Sequence, residues 1–92
     1  MVVLTGEQLM NRLAGRMGWK RSGDKIWKDY QFKDFPEALA FVNAVGTLAE
    51  RAGHHPDILI HQWNKVRLEL TTHDEGGLTK KDFDLAEQID TL

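Results

Sequence analysis

No cysteine occurs anywhere in the 92 residues. Disulfides, thiolate nucleophiles and thiolate zinc sites are therefore excluded, and the composition suits a reducing compartment. An excess of charge of one sign is also missing: 12 Lys and Arg stand against 14 Asp and Glu, for a formal net charge of -2. Proteins that live on phosphate backbones carry a basic surplus or stripe, so nucleic acid is not an expected partner. No apolar run approaches the ~20 residues of a membrane span. The N-terminus, Met1 to Glu7, lacks the basic start and apolar stretch of a secretion signal. The expected location is the cytoplasm, away from any membrane. There are only two prolines, and no repeat, low-complexity tract or linker. The length predicts one domain over residues 1–92 with a modest core, a size at which self-association often helps.

What is present is a regular alternation of elements. Thr5-Gly6-Glu7-Gln8 is a capping box, and Leu9, Met10, Leu13, Ala14 and Met17 recur at helical spacing. This predicts a first helix over about 6–17, stopped by Gly18. Trp19-Lys20-Arg21 and Lys25 to Phe32 flank Ser22-Gly23-Asp24 and predict a hairpin, although Lys28 interrupts the apolar parity of the second strand. Asp34, Pro36 and Glu37 form a strong helix start, with Glu37 completing an acidic capping box. The apolar residues from Phe35 to Ala52 carry that helix to Gly53. Gly46 inside it suggests close approach by another helix. Asp57 to Gln62 predicts a strand with Ile58 and Ile60 on one face. Trp63-Asn64-Lys65 is turn-like, and Val66, Leu68 and Leu70 alternate with Arg67, Glu69 and Thr71 as in a half-buried strand. After the Asp74-Glu75-Gly76-Gly77 loop, Thr79 to Asp82 is a third cap, opening a final helix with Phe83, Leu85, Ala86 and Ile89 inward. The order α-β-β-α-β-β-α predicts an α+β fold: one four-stranded antiparallel sheet with three helices packed on one face.

The chemistry concentrates between Glu50 and Asp82. Glu50, His54-His55-Pro56, Trp63, His73 and Asp82 gather three of the four histidines with two carboxylates. Pro56 holds His55 out of helical angles, and adjacent residues of an extended segment point to opposite sides, so the two imidazoles should meet different surroundings. His73 lies where a strand runs into a loop, a common place for working groups. Asp82 suits the first turn of a helix, where it offsets the dipole and caps amides. Glu50 sits near a helix C-terminus, where a negative charge is slightly unfavourable, so a purely local role satisfies it less. His61 has the parity of Leu59 and reads as a partly exposed histidine on the sheet face. Four histidines with acidic neighbours could ligate zinc, but the adjacent pair diverges and no His-x3-His helix pair exists. A Gly-x-Ser-x-Gly elbow and a glycine-rich phosphate loop are also missing. What remains is acid–base chemistry between imidazoles that titrate near neutrality, with a carboxylate to set a tautomer. Residues alone do not name the substrate.

Several groups of residues carry a resemblance that does. Glu50-Arg51-Ala52-Gly53-His54-His55-Pro56, then Trp63-Asn64-Lys65-Val66, Thr71-Thr72-His73, Gly77-Leu78-Thr79 and Asp82 closely resemble the pterin-4a-carbinolamine dehydratase family, also known as the dimerization cofactor of a homeodomain transcription factor. The similarity extends upstream through Gly18-Trp19 and Phe32-Lys33-Asp34-Phe35. The resemblance implies dehydration of a 4a-hydroxytetrahydropterin to a quinonoid dihydropterin, in tetrahydrobiopterin recycling, without metal or organic cofactor. It implies His54, His55 and His73 as catalytic residues, with His54 the lead acid–base group and His73 across the substrate. Glu50 and Asp82 match signature carboxylates that would orient or tune them. Pro56, Thr72, Asp74 and Glu75 fall at positions of pterin contact. The family also implies a homodimer or homotetramer, and an aromatic amino acid hydroxylase as a pathway partner. Its other roles, a protein-binding scaffold resembling a transcriptional coactivator and a part in molybdopterin metabolism, are the alternatives.

Overall fold

The computed structural model describes residues 2–15 and 18–92. Three helices and a four-stranded antiparallel sheet follow one another as α1 (Gly6–Leu13), β1 (Lys20–Ser22), β2 (Lys25–Gln31), α2 (Phe35–Ala52), β3 (Asp57–His61), β4 (Lys65–Leu70) and α3 (Lys80–Ile89). A short 3-10 turn, His73–Glu75, lies before α3. The α+β order read from the sequence is the order found.

Local signals explain most boundaries. Thr5 and Gln8 exchange the two bonds of a capping box at α1. That helix is shorter than its apolar spacing predicts, ending at Leu13 rather than Met17. Gly15 costs a helix roughly 1 kcal/mol relative to alanine, and so short a helix has little cooperativity to absorb it. Met17 itself lies outside the described residues. At α2, Asp34 accepts from the Glu37 amide at 2.9 Å, but the Glu37 carboxylate reaches the amide of Lys33, not that of Asp34. The reciprocal half of the expected box is thus displaced by one residue. The β1–β2 loop is also tighter than expected, with Ser22 inside β1 and Trp19 outside it.

The strands order as β1-β2-β4-β3, each antiparallel to its neighbour. Both β2 and β3 are antiparallel to β4, so they run parallel to one another with β4 inserted between. Helix α2 makes the crossover. Val66, Leu68 and Leu70 of β4 are fully buried and join Ile26, Ala38, Val45, Ala49, Phe83, Leu85 and Ile89 in the core. Lys28, which breaks the apolar parity of β2, lies on the core face nonetheless. Its ammonium reaches Asp90 Oδ1 at 3.2 Å and sits over the rings of Trp19 and Tyr30. The stem covers apolar surface while the charge reaches a carboxylate at the rim. The opposite sheet face carries Asp29 and Arg67, joined by two hydrogen bonds of 2.7 and 2.9 Å. The guanidinium holds the Asp29 carboxyl below the usual carboxylate range, chiefly through these bonds.

Two details differ from expectation or follow from packing. A Cβ built on Gly46 meets nothing within 4 Å, so no helix among the described residues packs against it. The Tyr30 hydroxyl is buried and finds no hydrogen-bond partner among the described residues. Burial first, and then the charge of Asp90, push its pKa well above the ordinary phenol range. A buried hydroxyl without a partner is a liability, since it loses water and gains nothing. Tyr30→Phe is therefore expected to preserve or raise stability, by up to about 1 kcal/mol or roughly 4–8 °C in melting temperature for a domain of this size. Thermal unfolding followed by circular dichroism checks this; a loss of 1 kcal/mol or more would show that the hydroxyl is satisfied after all.

Candidate active site

The site begins where α2 stops. Gly53 adopts left-handed angles (φ 62°, ψ 30°), and its amide bonds the Ala49 and Glu50 carbonyls. The next amide, of His54, returns to the Ala49 carbonyl at 3.1 Å. These bonds form a Schellman-type end, for which glycine is the favoured residue, and they aim the chain out of the helix at His54. The paired imidazoles then diverge, as adjacent extended residues must. His54 turns inward with its side chain 11% exposed, while that of His55 remains 65% exposed.

Each of these histidines meets one of the predicted carboxylates. His54 Nε2 lies 2.5 Å from Asp82 Oδ1, and His55 Nε2 lies 3.1 Å from Glu50 Oε1. The two pairs differ in kind. Asp82 is completely buried, and its second oxygen, Oδ2, accepts from the Thr72 hydroxyl and the Thr79 amide, both at 2.9 Å. One carboxylate therefore caps α3 and binds His54 at the same time. The Glu50–His55 pair is exposed on both sides and held by a single contact.

His73 opens the 3-10 turn and is exposed. The turn is closed by a bridge between Thr72 and Gly77. A cleft of ≈ 270 Å³ opens here, lined among others by His54, His55, Thr72, His73, Asp74 and Lys81. The three predicted catalytic histidines thus line one cleft, supplied by the end of α2 and the segment after β4. Glu50 and Asp82 stand behind their histidines and do not line it. Pro56 and Glu75 are not among its lining residues either. Thr72 lines it, but the described contacts already occupy its polar groups: its amide bonds the Gly77 carbonyl, its carbonyl accepts from Glu75 and Gly77, and its hydroxyl donates to Asp82.

Sequence reasoning missed Lys81, Thr71 and Gly53 in the lining, and Thr79 as a partner of Asp82. Lys81 could have been found from the cap itself, since it precedes Asp82 on the turn that faces His54. His61 lies apart, in a depression with Asp29, Gln31 and Lys65. Trp63 is an exposed turn residue with left-handed angles, as is Gln62 before it. No group of three or more His, Asp or Glu side chains is arranged to hold a metal ion among the described residues. No helix among them is long and apolar enough to cross a membrane.

Fold and site together define a small α+β protein with a histidine-lined cleft backed by a buried carboxylate. The sequence pattern of the family described as "Pterin 4 alpha carbinolamine dehydratase" matches residues 2–92, and the chain belongs to that family. A relative from Roseiflexus sp. (strain RS-1), provisionally named pterin-4-alpha-carbinolamine dehydratase, is 56% identical over 89 residues, covering 97% of this chain and 95% of its own. One from Acidobacterium capsulatum with the same provisional name is 50% identical over 92 residues, covering 100% and 99%. Among solved structures, a transcriptional coactivator/pterin dehydratase from Brucella melitensis superimposes with a TM-score of 0.92 at 29% identity, covering 98% of this chain and 97% of that one.

The contrast between the two His–carboxylate pairs has a measurable consequence. Removing one partner of a buried, hydrogen-bonded pair costs about 3–5 kcal/mol, while an exposed pair contributes about 0–1 kcal/mol. Asp82→Ala is therefore expected to lose several kcal/mol in urea denaturation and Glu50→Ala less than about 1 kcal/mol. Equal losses would contradict the assigned burial.

Proposed function

We propose that this protein dehydrates a 4a-hydroxytetrahydropterin to the quinonoid dihydropterin, as a hydro-lyase of tetrahydropterin recycling. The observation that carries the proposal is the convergence of His54, His55 and His73 on one cleft in a member of this family. The reaction needs one proton removed and one supplied. The N5–H proton leaves to a base, the N5 electron pair forms the C4a=N5 double bond, and the C4a–O bond breaks. The departing hydroxyl takes a proton and leaves as water. Imidazoles serve both needs near neutral pH, one neutral and one charged, and no cofactor is drawn on.

In this reading His54 is the lead acid–base group and His73 acts from across the substrate, while His55 binds or serves the other stereoisomer. Asp82 and Glu50 orient His54 and His55 through the contacts described. Asp74 and Lys81 offer polar groups to the pterin edge. Pro56 and Glu75, next in sequence to the lining residues His55 and Asp74, belong to the rim. An aromatic amino acid hydroxylase would supply the substrate. Stopped-flow measurement on a freshly generated 4a-hydroxypterin is the direct test. Loss of a positioned acid–base group typically costs 10²–10⁴-fold, so His54→Ala is expected to lower kcat by about that factor. Full activity in that variant would overturn the assignment of His54, and an inactive wild type would overturn the reaction.

We also propose that the protein works as a homodimer or homotetramer. The edge strand β3 exposes Ile58 and Leu59, and α2 exposes Phe35 and Leu39. An unpaired edge flanked by apolar side chains is a ready template for a second copy. The same surface favours, as a second reading, a protein-binding role of the kind implied by the name transcriptional coactivator, which the Brucella melitensis protein carries. Leu59→Lys is expected to reduce the sedimentation mass toward that of one chain; an unchanged mass would place the contact elsewhere.

A further inference from the structure

The environment of Asp82 contains more than the contact with His54. Its Oδ2 takes the hydroxyl of Thr72 and the amide of Thr79, and its Oδ1 faces His54 Nε2. Thr72 and Thr79 also touch each other, Oγ1 to Oγ1, at 2.8 Å. A hydroxyl has one hydrogen to give. Thr72 uses its hydrogen on Asp82, so the contact between the threonines is donated by Thr79. The chain of donors therefore has one direction: Thr79 hydroxyl to Thr72 Oγ1, Thr72 hydroxyl to Asp82 Oδ2. Thr79 Oγ1 in turn accepts the Lys81 amide at 3.3 Å.

Because Oδ2 is filled by two donors, the carboxylate presents Oδ1 to the imidazole as an acceptor. His54 then carries its hydrogen on Nε2, and Nδ1 is the ring nitrogen left over. Nδ1 has no hydrogen-bond partner among the described residues, and His54 lines the cleft. Thr79 and Asp82 are fully buried and Thr72 nearly so, so water cannot stand in easily for a lost hydroxyl. The segment that carries the threonines is itself pinned. Thr72 and Gly77 exchange backbone bonds of 3.2 and 3.4 Å, and the Leu4 amide donates to the Leu78 carbonyl at 2.8 Å. A Cβ on Gly77 would lie 2.9 Å from a methyl of Val3, so a larger residue there would have to push that side chain aside.

We propose that Thr72 and Thr79 are positioning residues that hold the Asp82 carboxylate in one orientation, fixing His54 as the Nε2–H tautomer with Nδ1 as its proton-exchanging atom. The side chain of Thr72 thus serves the base from behind. Its catalytic consequence rests on the reading of His54 given above, while the tautomer does not.

Two measurements on the full chain separate these levels. Histidine-selective 15N NMR reads the tautomer directly, without activity. The expected result for wild type is His54 protonated at Nε2 and bare at Nδ1 in the neutral ring; an Nδ1–H tautomer overturns the proposal. Thr72→Val keeps the shape and removes the donor, and should mix the two tautomers. Since small misplacements of a working group cost up to 10²-fold, it should lower kcat on the order of tenfold to a hundredfold. KM should stay within about threefold, because the interaction lost is not with bound substrate. Thr72→Ser, which keeps the hydroxyl, should restore both readouts. A Thr72→Val protein with wild-type kcat and tautomer, or with KM alone raised, overturns the proposal. If Thr72→Val does not fold, the wild-type tautomer decides. A wild type without dehydratase activity removes the reaction but leaves the tautomer comparison to decide the positioning role.

Discussion

A single buried carboxylate ties the site to the fold. Asp82 has no contact with solvent, and its bonds to His54, Thr72 and the Thr79 amide join three separate parts of the chain. The end of α2 reaches it through His54, the segment after β4 through Thr72, and the start of α3 through Thr79. A buried charge is costly unless its hydrogen-bonding capacity is filled, so these three segments are held to one arrangement by the cost of leaving any of them out. The cleft between them takes its shape from that constraint. An exposed pair such as Glu50–His55 has no such hold, because water replaces either partner.

The different surroundings of the adjacent histidines follow from backbone geometry rather than from their chemistry. A left-handed glycine ends α2 and Pro56 keeps the chain extended. Consecutive extended residues face opposite ways, so one imidazole is turned toward Asp82 and the other toward the surface. Identical side chains are thereby given different surroundings within a span of two residues.

Much of this was legible in the sequence because it rests on local signals. The cap residues Thr5, Asp34 and Thr79, the stop at Gly53 and the alternation of Val66, Leu68 and Leu70 each act within a few residues, and each appears where expected. The divergence of His54 and His55 was legible for the same reason. What was hidden depends on contacts distant in sequence. Nothing near Asp82 reveals that its Oδ1 faces a histidine 28 residues earlier. The cap and a place beside the histidines looked like competing explanations of one residue, whereas one oxygen caps α3 and the other meets His54. Lys28 misled by its charge alone, since its place on the core face is explained by Asp90, 62 residues away, together with the rings of Trp19 and Tyr30. The early end of α1 reflects a small propensity penalty that an apolar repeat outweighed on paper.

The placement of β4 between β2 and β3 also bears on how the molecule forms. As the chain emerges, β2, α2 and β3 are complete before β4 exists, yet β2 and β3 are not neighbours and offer each other no ladder. β3 and β4 are joined through residues 62–64 and pair as a hairpin, and the sheet closes when β4 also meets the edge of β2. Loop closure over the whole of α2 must precede that reward, which slows folding relative to a simple meander. Until then two strands carry unpaired edges, the state in which small β-containing proteins are most open to pairing with other copies. The insertion that pairs β4 on both edges therefore makes the sheet depend on contacts that span the whole of α2.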